Sequence, residues 1–246
     1  MRLDQYLAHH HALTRNKAQQ LIATDLITVN QRICNKSSQS IGEDDIVTIR
    51  EDRRVHWVSR SAEKLAGFLE SLNTPIAISG SNCLDIGSST GGFTQVLLSL
   101  GAHHVDAVDV GTDQLHESLR LDTRVSSYEQ TDIRDFSKNN TRSQYDIIVC
   151  DASFISLTEI IDPILALANE NTMIILLYKP QFEVSREHLR KTGVPKEQSI
   201  VDKKMIEFES LLLSKDCVLL DRKASSLMGE AGNQEWIYMI QKNPQK

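Results

Sequence analysis

Residues 84–100, LDIGSSTGGFTQVLLSL, decide the fold: an apolar run carrying one acid breaks into three glycines, then apolar residues return at helical spacing. A strand that becomes a helix through glycine can use the missing side chains in two ways. Glycine permits a tight turn and close packing of helix on strand. It also leaves bare backbone amides near a helix N-terminus, where a small polar ligand can lie.

Outward from this turn the same alternation repeats. VDAVDVG (105–111), VSSYE (125–129), YDIIVCD (145–151) and MIILLYKP (173–180) read as strands, with DQLHESLRL (113–121) and LTEIIDPILALA (157–168) as amphipathic helices between them. Near-continuous apolar runs separated by such helices predict an α/β fold, with a mostly parallel sheet covered on both faces. KKMIEFESLLLSK (203–215) is a further helix, and CVLLDRKAS (217–225) and EWIYMIQK (235–242) are the last strands. The loop between those strands, LMGEAGNQ, has no room for a crossover helix, so they are predicted to pair antiparallel.

The first 50 residues read as a separate small α+β unit. TRNKAQQLIATD offers Thr14 as a helix N-cap, with Ala18, Leu21 and Ile22 on one face. LITVNQRIC alternates around Asn30-Gln31, and DDIVTI supplies another strand. The boundaries expected are 1–53 for this unit, 54–58 for a linker after the charged run REDRR, and 59–246 for the larger domain. WVSRSAEKLAGFLESL then places Leu65, Phe68, Leu69 and Leu72 on one helical face.

Composition excludes some functions. At 40% hydrophobic and 24% charged residues the chain is an ordinary globular protein, with no run long enough to span a bilayer. The start, MRLDQYLAHHH, has no apolar signal segment. Four scattered cysteines without a CxxC pair fit reduced thiols, and a cytoplasmic protein is expected. Net charge is −6, yet residues 1–64 carry 10 Lys and Arg against 8 Asp and Glu. Any polyanion is therefore expected to be gripped mainly by the first segment. The histidine runs 9–11 and 103–104 lack partners at ligand spacing, so no metal is expected.

In an open α/β sheet, ligands sit at the carboxyl ends of the parallel strands. Asp85 closes the first of these strands and Asp109 the second, where an acid can accept from ribose hydroxyls. That pairing suits a dinucleotide or an adenosyl cofactor. Asp151 and Lys179 end two later strands, and Glu235 begins the antiparallel one, so all three reach the same edge. Lys64, on the helix from Ser59, can be brought over it.

SRSAEKL, LDIGSSTGGFT, AVDVG, CDASFISL, YKPQFE and GNQEW together resemble the TlyA (hemolysin A) family, in order and with its spacing over residues 59–240. RLDQYL, TRNKAQQLI and ITVN resemble the RNA-binding domain named after ribosomal protein S-four. The resemblance implies a Rossmann-like, FtsJ-type methyltransferase sheet of seven strands, the last antiparallel, with S-adenosyl-L-methionine as cofactor. It implies ribose 2′-O methylation of cytidine in ribosomal RNA by a Lys-Asp-Lys-Glu tetrad: Lys64, Asp151, Lys179 and Glu235. For the cofactor it implies Asp85, Gly87, Gly91, Gly92, Phe93, Asp109 and Asp132. Arg2, Arg15, Lys17 and Arg60 are expected on RNA. Because MRLD opens the small domain at once, the chain resembles the shorter members, which act on large-subunit 23S RNA, free or in a subunit. The chain departs from the pattern at Ser61-Ala62, Thr90 and Phe93, and around Asp25 and Gln31, where glycines are customary. Three other readings remain open at this point: a membrane-active haemolysin, a nucleotide-dependent oxidoreductase, and a non-catalytic ribosome-binding factor.

Overall fold

The structure is a computed structural model that describes residues 1–246 except 12, 24, 25, 43, 50–56, 141–144, 230 and 244–246. The chain forms two compact units, residues 1–56 and 57–246. The expected REDRR linker, the first half of VHWV and Asp25 lie outside the described residues.

In the first unit, α1 (Leu3–His10) packs on α2 (Arg15–Ile22) beside an antiparallel sheet of β1 (Ile27–Val29), β2 (Arg32–Ile33) and β3 (Val47–Ile49), in the order β2-β1-β3. Leu3, Leu7, Ala18, Leu21, Ile22, Ile27 and Ile41 form its core. Thr14 caps α2 as expected, its hydroxyl accepting from the Lys17 amide. The β1–β2 turn needs two left-handed residues, φ 51° at Asn30 and 67° at Gln31, conformations glycine adopts most cheaply. Here the Asn30 side chain substitutes: it donates to Asp45 Oδ1 at 2.7 Å and accepts from the Ile46 amide at 2.9 Å.

The second unit opens with α3 (Ser61–Glu70) and continues through β4 (Asn82–Ile86), α4 (Gly92–Ser99), β5 (His104–Val108), α5 (Glu117–Arg120), β6 (Val125–Tyr128) and α6 (Ile133–Asn139). It is completed by β7 (Tyr145–Cys150), α7 (Leu157–Ala166), β8 (Ala168–Tyr178), α8 (Pro180–Glu183), α9 (Gln198–Ser214), β9 (Cys217–Ala224) and β10 (Trp236–Lys242). The sheet order is β6-β5-β4-β7-β8-β10-β9. The β4–β5, β5–β6, β4–β7 and β7–β8 pairs are parallel, and β10 runs antiparallel to both neighbours. Period-two alternation divides the core in two. Leu84, Ile86, Ile148 and Cys150 face the layer that holds Phe136, Ile161 and Phe208. Cys83, Ile147 and Val149 face Leu65, Phe68 and Leu97.

Two elements differ from expectation. DQLHESLRL forms a helix of only four residues, because the amides of Asp113, Gln114 and Leu115 donate to the Glu129 carboxylate at 2.7–3.3 Å instead of entering helical bonds. β8 begins at Ala168, ahead of the apolar run, because Thr172 turns its hydroxyl onto the Tyr145 carbonyl at 2.6 Å and extends the pairing.

The strand order reverses between β4 and β7, so the crevice of this sheet opens where those strands end. Trp236 pairs with Tyr178, which brings the start of β10 to the same edge. Behind it, the rings of Tyr178, Phe208 and Tyr238 lie 5.4–5.6 Å apart, with Phe208 1% exposed. Truncating Phe208 to alanine is expected to cost about 3–5 kcal/mol, read as a lowered urea midpoint for the second unit.

Candidate functional site

The loop after β4 is shaped by its neighbours. The amides of Gly87 and Ser88 donate to the Val108 carbonyl at 2.8 and 3.2 Å, which draws the turn toward the end of β5. Gly87 has φ +73°, and a Cβ there would meet the Ala152 backbone at 2.8 Å. Only glycine fits where the β4 and β7 loops pass this closely. Gly91 and Gly92 face inward, toward Leu115 and Leu119 and toward Ser59 and Ser61.

Asp109 accepts from the Ser89 amide at 2.8 Å and the Gly111 amide at 2.7 Å. It lines a cavity of about 320 Å³ with Gly87, Ser89, Gln114, Asp132 and Phe154. Asp132 does two things: it caps α6 by accepting from the Arg134 amide, and it faces this cavity. Two residues expected in the cofactor site lie behind it. Phe93 is 3% exposed and packs in the core under α4. Asp85 is fully buried, and its Oδ2 accepts from the Thr94 amide and hydroxyl at 2.8 and 2.6 Å, fastening the start of α4 to β4.

Gly87, Ser89, Asp151, Ser153 and Phe154 also belong to the wall of a second cavity, of about 710 Å³. The four charged residues meet here as two ion pairs. Lys64 Nζ lies 2.6 Å from Glu235 Oε2, and Lys179 Nζ lies 2.6 Å from Asp151 Oδ1. The Lys179 ammonium also donates to Ser153 Oγ at 2.7 Å and to the Asp151 carbonyl at 3.1 Å. The four side chains are between 3% and 14% exposed, so the pairs are largely withdrawn from water. Burial raises the Asp151 carboxyl above its ordinary range, against the pull of the Lys179 and Lys64 charges.

The sequence reading passed over three neighbours, although CDASFISL and YKPQFE contain them. Phe154 is 91% exposed at φ 65°, in the wall of both cavities, with its ring 5.2 Å from Phe182. Glu183 accepts from the Ser156 hydroxyl and from the Leu157 amide at 2.8 Å, which ties the loop after β7 to α8. Burial raises its carboxyl too, opposed by those donors.

Of the residues expected on RNA, Arg60 is exposed at the larger cavity. Arg2 and Arg15 sit in the first unit, where both hold the buried Asp4 at 3.0–3.1 Å while staying about half exposed. Hydrogen bonds from Arg2, Gln19 and Arg15 keep that carboxyl well below its usual range. Lys17 lies in the first turn of the same helix. Among the described residues no group of three or more His, Cys, Asp or Glu could hold a metal ion, and no helix is long and apolar enough to cross a membrane.

Comparison with known proteins places both units in families. The FtsJ-like methyltransferase family matches residues 57–242, and the S4 domain matches residues 1–47. The 23S rRNA (cytidine-2′-O)-methyltransferase TlyA of Campylobacter jejuni is 37% identical, over 99% of this chain and 100% of the relative. The 16S/23S rRNA (cytidine-2′-O)-methyltransferase TlyA of Mycobacterium tuberculosis is 35% identical, over 93% and 85%. A solved Streptococcus thermophilus protein that carries a hemolysin name superposes with a TM-score of 0.72 at 30% identity, over 99% of this chain and 89% of its own.

Asp85 generates a pH prediction. Its Oδ1 has no partner among the described residues, and burial pushes the carboxyl up to about 7 from 3.8. A group raised on folding adds stability that is complete below its unfolded pKa and is lost as pH climbs through the folded one. Asp85→Asn keeps an acceptor for Thr94 and removes the buried charge. Its melting temperature is expected to gain on the parent's as pH rises from 5 to 8, and parallel profiles would refute the assignment.

Proposed function

Because the chain belongs to the FtsJ-like methyltransferase family, in company with the TlyA ribosomal RNA methyltransferases, we propose that it transfers a methyl group from S-adenosyl-L-methionine to the ribose 2′-hydroxyl of a cytidine in 23S ribosomal RNA. The observation that carries this reading is the convergence of Lys64, Asp151, Lys179 and Glu235 on one cavity that shares a wall with the cavity of Asp109.

The smaller cavity suits the adenosyl part of the cofactor. Its volume falls at the lower end of small-molecule sites. Each Asp109 oxygen already holds one backbone amide and keeps a lone pair for a ribose hydroxyl. Gly87 and Ser89 offer backbone alongside, and Asp132 is the acceptor for an exocyclic amine. Asp85, Gly91, Gly92 and Phe93 act from behind by fixing the loop and α4. When bound, S-adenosylmethionine supplies a methyl group on a sulfonium, already activated by a neutral thioether leaving group.

The protein's task is therefore to aim one hydroxyl and dispose of one proton. Lys179 orients the 2′-hydroxyl and is the first station for its proton, which requires the amine to enter the step neutral. Asp151 and Ser153 hold Nζ in place for this. Lys64 and Glu235, steadied by Gln181 at 3.3 Å, form the opposite wall. Phe154 presents an open aromatic face at the mouth, where the base of the target nucleotide can stack. Selection of RNA follows from a site built around a hydroxyl that DNA lacks, and ribosomal RNA as substrate implies work in the cytoplasm.

Lys179→Ala is expected to lower methylation by at least about 100-fold while calorimetry shows S-adenosylmethionine binding within a few-fold of the parent. Full methylation by this variant would remove Lys179 from the reaction. Mass-spectrometric mapping of ribose methylation in ribosomal RNA from cells with and without the protein is expected to show one cytidine in 23S RNA losing its methyl group.

A further inference from the structure

Residues 57–246 carry 19 Lys and Arg against 26 Asp and Glu, an adverse balance for a domain that must hold a polyanion. One segment runs against it. Residues 186–196, REHLRKTGVPK, hold Arg186, Arg190, Lys191 and Lys196 against the single acid Glu187.

The segment is folded as an arm. After a 3-10 turn at Arg186–His188, Leu189 bridges antiparallel to Pro195, the Arg190 amide donates to the Val194 carbonyl and the Lys196 amide to the His188 carbonyl, each at 2.8 Å. Gly193, at φ +81°, closes the turn by donating to the Arg190 carbonyl at 2.9 Å, which leaves Lys191 and Thr192 at the tip. One side of the arm belongs to the catalytic edge: Leu189 and Gly193 are in the wall of the larger cavity. Asn233, two residues before Glu235, donates to the Gly193 carbonyl at 3.4 Å.

Among the described residues the arm's cations have no acidic partner. Elsewhere on this unit Arg124, Arg134 and Arg222 are held by Asp122, Asp132 and Glu209. Arg186, Arg190, Lys191 and Lys196 are exposed, and no carboxylate among the described residues pairs with them. Glu187 is turned to Ser185 and His188, while Lys196 Nζ sits on the Glu187 carbonyl at 2.7 Å and braces the base of the arm.

We propose that residues 186–196 are a phosphate-gripping arm for the RNA strand beside the target nucleotide, a proposal that rests on the methyltransferase reading above. The arm carries no large aromatic residue on which a base could stack and no exposed large apolar residue to enter a bilayer. Its recognition is therefore of the ribose-phosphate backbone, without regard to sequence. It gives the acidic catalytic unit its own hold on RNA, next to the cavity where the hydroxyl is placed.

The test is the triple variant Arg186→Ala/Arg190→Ala/Lys191→Ala of the full chain, which keeps Lys196 and its bracing bond. Binding to a single-stranded oligocytidylate is measured between 50 and 200 mM salt. Loss of three phosphate contacts is expected to lower the slope of log affinity against log salt by about 2. The matching Arg→Lys variant at 186 and 190 is expected to keep the parent slope. On 23S RNA, KM is expected to rise about tenfold or more with kcat and S-adenosylmethionine affinity within twofold. An unchanged slope, or a fall in kcat at constant KM, would overturn the arm. A parent protein that methylates no RNA would refute the methyltransferase reading instead, and the binding slope would still decide the arm.

Discussion

Two lysine–carboxylate pairs lie nearly out of water at the edge where β7 and β8 end and β10 begins, and most of the second unit serves to keep them there. Withdrawing four charges from solvent is costly, and each pair is tolerable only while both partners and their hydrogen bonds are in place. The surrounding structure meets that condition in detail. Lys179 is held by the Asp151 carboxylate as an ion pair and by hydrogen bonds to the Asp151 carbonyl and Ser153 Oγ. Glu235 has Lys64 on one oxygen and Gln181 on the other. Glu183 locks the loop that follows Asp151, and the Gly87 turn lets that loop approach the end of β4. The charged edge and the fold are in this sense one object.

The two units handle positive charge differently. In the first, Arg2 and Arg15 converge on Asp4, so their orientation is set from inside the protein while their outer surfaces stay open to a polyanion. The second wraps most of its surface cations in carboxylates and leaves a short arm beside the cavity unneutralised. An acidic domain with such an arm offers a polyanion a local foothold beside the cavity, which is the basis of the proposal made above.

The sheet was legible in the sequence because its strands are long apolar runs with clear helical spacing between them, and because LMGEAGNQ is too short for anything but an antiparallel return. Lys64, Asp151, Lys179 and Glu235 could be assembled on paper since each stands at the terminus of a recognisable element. Other features were not legible, for physical reasons. Glu129 lies 14 to 16 residues beyond the amides it takes from the DQLHESLRL segment, and a local pattern cannot anticipate such a capture. Asp85 and Phe93 look like ligand residues in a motif, but their side chains point into the packing that carries the motif. Phe154 has a left-handed backbone, which its neighbours Ala152, Ser153 and Ile155 give no sign of. The basic arm was hidden in a net charge that averages it away.

The position of β10 has a consequence for how this protein comes into being. Glu235 stands at the start of the last strand, 171 residues beyond its partner Lys64, and β10 slots between β8 and β9 instead of joining an outer edge. The earlier strands can pair in turn, but the cavity lacks one wall until β10 inserts between β8 and β9. Closing that wall waits on a contact of long sequence separation, and such contacts are slow to form.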